Sequence, residues 1–291
     1  MYLHWSVHQQ KIIPMNFRQR LEKRWKEKKY ICVGLDSDYS KIPSHIKKGT
    51  VDKVIFNFNK ALIDQTHDLV CSYKMQSSYY EAEGSKGLEA LKKTVQYIKK
   101  KYPEIPVILD AKRADIGSTN LGYTKAIFDE LGFDAVTVNP YLGGEALKPF
   151  LNRKDKGIII LVKTSNPGSD EFQNLKINGK PLYQIVARQV AKKWNKNKNC
   201  AVVVGATYPG ELKIVRKIIG DMPILIPGIG AQGGDLEGTI KNGKGKKSWG
   251  MIINSSRGII FASSGKDFPK AAREATKDLH NSIIMVQNKH A

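Results

Sequence analysis

The chain has 291 residues, 41% of them hydrophobic, and carries 48 Lys and Arg against 27 Asp and Glu, a formal net charge of +21. That is enough apolar material for one large core or two small ones, and no stretch approaches the roughly 20 apolar residues of a membrane span. Three cysteines, Cys32, Cys71 and Cys200, lack metal-ligand spacing and lie in or beside apolar runs, so they read as buried reduced thiols, not as a disulfide framework or a zinc site.

In chain order, the opening "MYLHWSVHQQKIIPMNF" has no apolar core of a secretory signal, so a cytoplasmic protein is expected. Residues 1–14 are expected to form an extension outside the fold, and 15–291 the folded unit. "MNFRQRLEKRWKEKK", from Met15, is amphipathic. Strand-like apolar runs follow at fairly even spacing: "YICVGLD" (30–36), "LVCSYKM" (69–75), "PVILDAK" (106–112), "DAVTVNP" (134–140), "GIIILVKTS" (157–165), "CAVVVGA" (200–206), "MPILIPGIG" (222–230) and "WGMIINSS" (249–256). The segments between them are helix-length, and "GLEALKKTVQYIKKKY" and "PLYQIVARQVAKKWNK" place apolar residues at i, i+3 and i+4. Eight near-continuous apolar strands alternating with helices predict an α/β fold, a single-domain (β/α)8 TIM barrel, with a doubly wound open sheet as the alternative. The basic clusters "YIKKKYP", "AKKWNKNKN" and "KNGKGKK" are scattered over helix ends and loops. They read as a solvated surface that helps draw in an anionic substrate, more than as a nucleic-acid stripe.

The runs end in polar or flexible residues: Asp36, Lys74, Asp110 with Lys112, Asn139, Lys163 with Thr164 and Ser165, the glycines after Pro227, and Arg257. Barrel active sites sit at the carboxyl ends of the strands, so these endings predict a shared mouth. In "VILDAKRADIGST" the i, i+2 spacing would turn Asp110 and Lys112 the same way along an extended strand, with Asp115 one short turn further. On its own this D-x-K-x-x-D element fits a surface salt bridge and helix cap as well as it fits an active site. "PGIGAQGGD" after the seventh run offers backbone amides to an anion, and Arg257 in "SSRGI" after the eighth offers a guanidinium, where barrels commonly hold phosphate. "LVKTSNPGS" after the fifth has the composition of a binding loop. All six histidines lie away from the strand ends. A histidine acid–base mechanism and a metal site are therefore disfavoured, and lysine is left as the proton carrier.

Taken together, "GLDSD", "YKMQSSYYE", "ILDAKRADIGST", "LVKTSNPGSDEFQ", "PGIGAQGGD" and "INSSRGI" resemble the orotidine 5′-monophosphate decarboxylase family, over roughly residues 16–275, in its longer-loop branch. The resemblance implies a cofactor-free conversion of orotidine 5′-monophosphate to uridine 5′-monophosphate and carbon dioxide, the last step of de novo UMP synthesis. It implies a catalytic set of Lys74, Asp110, Lys112 and Asp115, with Lys112 protonating C6. Asp36 would bind the ribose hydroxyls, Gln76 would reach the same region, Ser165 would contact the pyrimidine, and Gln232 and Arg257 would hold the phosphate. In a homodimer, Asp115 and Thr119 would enter the neighbouring subunit's site. Two other readings stand beside it: a metal-dependent keto-sugar-phosphate decarboxylase of the same barrel group, and a basic nucleic-acid-binding barrel.

Overall fold

The computed structural model describes residues 15–229 and 234–289. The proposed extension, 1–14, lies outside them. Eight parallel strands close into a barrel: β1 (Ile31–Gly34), β2 (Val70–Gln76), β3 (Val107–Arg113), β4 (Ala135–Val138), β5 (Gly157–Lys163), β6 (Cys200–Val204), β7 (Ile224–Pro227) and β8 (Met251–Ser255). Each neighbours the next in sequence, and β8 pairs with β1 through Ile253 and Ile31. The open sheet is thereby ruled out. The strands are apolar on both faces because one face fills the barrel and the other meets helices; β1, β4, β6 and β8 are buried along their whole length.

The helices of eight residues or more are α1 (Phe17–Lys26), α2 (Val51–Thr66), α3 (Gly84–Lys101), α4 (Gly117–Thr124), α5 (Leu182–Gln189), α6 (Pro209–Ile219), α7 (Leu236–Gly243) and α8 (Phe268–Lys289). α4 and α5 run on into π-helical turns at Lys125–Glu130 and Val190–Trp194. α1 starts in a capping box: the Asn16 side chain accepts from the Gln19 amide, and the Gln19 side chain accepts from the Asn16 amide. Its buried face is Phe17, Leu21 and Trp25, spaced by four. That face lies against the beginnings of the strands. Arg24 Nε donates to the carbonyl of Val70 (2.8 Å), and Trp25 Nε1 donates to that of Met251 (2.8 Å). α1 therefore closes the floor of the barrel and leaves the opposite end free. Outside the barrel, Phe58 of α2 stacks on Phe261 and Phe268, tying α8 back to the start of the ring. The cysteines are unpaired and buried. Burial pushes the Cys32 and Cys200 thiols up to about 12, so they are not thiolate nucleophiles at neutral pH.

Candidate active site

A cavity of about 690 Å³ opens at the carboxyl ends of the strands. One wall is charged, from Asp36 after β1, Lys74 on β2, and Asp110 and Lys112 on β3; the other is apolar, from Leu161, Val203 and Leu225 on β5, β6 and β7. The charged groups form a chain of alternating sign. Asp36 Oδ1 lies 3.0 Å from Lys74 Nζ, which lies 3.5 Å from Asp110 Oδ2; Asp110 Oδ1 lies 2.8 Å from Lys112 Nζ. Asp36 also accepts from the Gln76 amide (3.1 Å) and so belongs to the ion chain itself. Lys74 is 3% exposed, a burial no lone ammonium would tolerate. Burial alone would lower its pKa, but Asp36 and Asp110 outweigh that and hold it above the ordinary lysine value. Burial likewise works to raise Asp110, but Lys74 and Lys112, with the Thr137 hydroxyl, outweigh it and keep the carboxyl below the usual range.

Asp110 and Lys112 do meet at the mouth, but not by simple strand alternation. The pairing of β3 with β4 loses register between Leu109 and Arg113. Lys112 there has φ +46°, in the left-handed region that residues with a side chain rarely enter. The bulge re-aims the lysine toward its own neighbour's carboxylate. Beyond it the chain turns into α4. Asp115 Oδ1 accepts from the Ile116 amide (2.7 Å), and the Asp115 amide donates to Asn120 Oδ1 (3.0 Å). Neither Asp115 nor Thr119 is among the residues lining this cavity, and Thr119 is exposed.

Ser165 lines the cavity from the loop after β5. Lys163, grouped with it by sequence, instead points beneath that loop. Its side chain is completely buried, and Nζ donates to Ser169 Oγ (3.0 Å), Asp170 Oδ1 (2.6 Å) and Asn174 Oδ1 (3.2 Å), over the ring of Tyr208 (4.4 Å). The loop is locked a second time at its neck, where Gln173 Oε1 accepts from the Thr164 amide (2.9 Å) and Gln173 Nε2 donates to the Thr164 hydroxyl (2.8 Å). Asn139 also leaves the mouth; its side chain accepts from the Tyr141 amide (3.0 Å) and shapes the turn after β4.

At the other end of the cavity Arg257 opens the short helix Arg257–Ile260 and makes no ion pair among the described residues. A guanidinium at the lip of a pocket can take a phosphate bidentately. Gln232, its expected companion, lies outside the described residues. The lining also contains Tyr79, Asn166, Gln173, Asn254 and Ser256, which the sequence alone did not single out. Asn254 and Ser256 flank Ser255 in "INSSRGI", where the i, i+2 pattern along β8 was the available signal.

The chain as a whole is similar to known proteins. Residues 29–274 match the model of the orotidine 5′-phosphate decarboxylase / HUMPS family. The chain is 46% identical over 270 residues to orotidine 5′-phosphate decarboxylase of Cellvibrio japonicus, covering 92% of this chain and 98% of that one. Against the same enzyme of a Janthinobacterium species it is 46% identical over 271 residues, with the same coverage. Among solved structures, OMP decarboxylase of Leishmania donovani superposes with a TM-score of 0.79 at 34% identity, over 92% of this chain and 98% of that one. UMP synthase of the same organism superposes at 0.81 and 36% identity over 92% of this chain, which spans 56% of the length of that one. A family model that matches most of the barrel, and relatives matched nearly end to end, give one conclusion: the chain belongs to the orotidine 5′-phosphate decarboxylase / HUMPS family.

Proposed function

We infer that the barrel mouth decarboxylates orotidine 5′-monophosphate to uridine 5′-monophosphate, with Lys112 as the proton donor. The observation that carries the mechanism is the ion chain Asp36–Lys74–Asp110–Lys112, which ends in a half-exposed ammonium facing the cavity. In the reaction the bond from C6 to the carboxylate breaks, and its electron pair stays on C6 as carbon dioxide leaves. An ammonium fixed beside C6 stabilises that pair and then protonates it, so the ring carbon gains one proton and Lys112 loses one. The stabilising charge is in place before reaction, which is electrostatic preorganisation. Asp36 offers the ribose hydroxyls a carboxylate oxygen, Gln76 sits next to it on the same wall, and Ser165 meets the pyrimidine over the apolar wall. Arg257, with Gln232, grips the phosphate. That remote grip lowers the barrier by holding the base against Lys112.

The acting form is a homodimer, with Asp115 and Thr119 completing the partner's site. Their position outside their own cavity supports this. So do the exposed apolar side chains next to them in the chain, Ile116 at 63% and Leu121 at 59%. The unpaired, buried thiols suit the reducing cytoplasm. The test of the mechanism is Lys112→Ala, assayed by the loss of orotidylate absorbance without added metal and with a chelator present. The activity is expected to fall by about 10³-fold or more, the scale of removing a general acid that also stabilises the developing charge. Near-normal turnover would remove Lys112 as donor.

A further inference from the structure

At the bulge in β3, the Lys112 amide takes a side chain as acceptor where a ladder carbonyl would ordinarily serve. It donates to Thr137 Oγ1 on β4 at 2.9 Å. The same hydroxyl lies 2.8 Å from Asp110 Oδ1, and Asp110 Oδ1 in turn receives Lys112 Nζ at 2.8 Å. Thr137 is 1% exposed and in the middle of its strand. The direction of these bonds is forced. An amide can only donate and an ionised carboxylate can only accept, so the one hydroxyl proton goes to Asp110 and a lone pair takes the amide. The three groups form a closed ring: the Lys112 backbone to Thr137, Thr137 to Asp110, and Asp110 to the Lys112 ammonium. Lys112 is held in a left-handed conformation that costs energy for a residue with a Cβ, and such a conformation persists only where its surroundings over-determine it. Thr137 supplies that fixing from the neighbouring strand.

We propose that Thr137 is a positioning residue: its buried hydroxyl ties the backbone of Lys112 to the carboxylate of Asp110 and so sets where the Lys112 ammonium rests at the cavity. This rests on Lys112 being the proton donor. Thr137 is not among the residues lining the cavity, so its effect runs through the other two residues. A β-branched residue also fills its strand position well, so a purely structural role has to be separated from the positioning one.

Two substitutions pull these roles apart. Thr137→Val keeps the volume and loses the hydroxyl, whereas Thr137→Ser keeps the hydroxyl and removes a buried methyl. Positioning predicts that kcat and kcat/KM of the valine variant both fall about ten- to a hundredfold with KM nearly unchanged, the pattern of an interaction that matters in the transition state. The serine variant should stay within about threefold of the parent, although it loses the buried methyl and melts lower. A structural role predicts the reverse order, with serine the worse. The proposal is overturned if valine keeps the parent kcat, if both variants lose activity equally, or if the loss is confined to KM. Should the valine variant not fold, Thr137→Cys replaces it; the same loss of kcat is expected there, and an unchanged kcat overturns the proposal equally. The role of Lys112 is tested separately: an inactive Lys112→Ala with a fully active Thr137→Val leaves the proton donor standing and removes only the positioning role.

Discussion

Asp110 divides its two carboxylate oxygens among three donors, Lys112 and Thr137 on Oδ1 and Lys74 at 3.5 Å from Oδ2. Its folded pKa is below the ordinary aspartate value of about 3.9, held there by these partners against the effect of burial. The stabilisation is therefore present above the unfolded value and is lost as the pH falls from there through the folded one. Lys74 works with the opposite sign. Its raised pKa stabilises the fold below about 10.4 and is lost as the pH rises through the folded value, so both charges are constant across neutral pH. Asp110→Asn lacks the first of these titrations. The difference in unfolding free energy between the parent and this variant, from urea melts, is expected to be level between about pH 5 and 7 and to shift in favour of the variant below about pH 4. A level difference down to about pH 3 would mean that Asp110 has no such linkage. These charges were legible in the sequence because each ends an apolar run. The φ of Lys112 was not, since nothing in "DAKRAD" marks a bulge, and neither was Thr137, which reads as one more β-branched strand residue.

The eight strands were legible as apolar runs, and the two amphipathic segments with helical spacing became α3 and α5. What lies between strands was less so. The loop after β5 folds back on itself through a small hairpin, Lys176–Ile177 paired with Lys180–Pro181, whose turn Asn178-Gly179 has φ +50° and +74°. That dipeptide is the usual signal of a two-residue hairpin, but strands of two residues are too short to show a period. Lys163 looked like part of the mouth for a related reason: a strand ending in Lys says nothing about which side of the following loop the ammonium will occupy. The loop presses on its neighbour at Gly205, just past β6, where a Cβ would lie 2.8 Å from the Ser165 Cβ and 2.9 Å from its Cα. The contact includes backbone, so it cannot be relieved by a rotamer change. Gly205→Ala should displace Ser165 and lower kcat/KM by about ten- to a hundredfold, the sensitivity of a site to misplacement on the ångström scale, measured by steady-state kinetics alongside a thermal melt. Unchanged kinetics in a folded variant would separate Ser165 from the site.

At the scale of the whole molecule, each cavity as one chain builds it draws Asp36, Lys74, Asp110 and Lys112 from the ends of β1, β2 and β3 and Arg257 from the end of β8, while Asp115 and Thr119 are not among its lining residues. If the pair completes the partner's site, two inactive subunits can repair each other. An Asp115→Ala subunit keeps its Lys112, and a Lys112→Ala subunit supplies the missing Asp115. Random reassociation of equal amounts makes half the dimers mixed, each with one of its two sites intact, so about a quarter of the parent activity is expected. No recovery in mixed dimers confirmed by mass would contradict the shared site. The far end of the barrel has a different character. α1 seals it, with Trp25 and Arg24 bonded to the first carbonyls of β8 and β2. The described chain thus enters its fold at the sealed pole, with the whole barrel between that entry and the mouth. A linker joined at Met15 would therefore act as a stalk: a molecule attached to a bead or surface by that stalk would stand with its opening outward, and attachment and substrate would not compete for the same face.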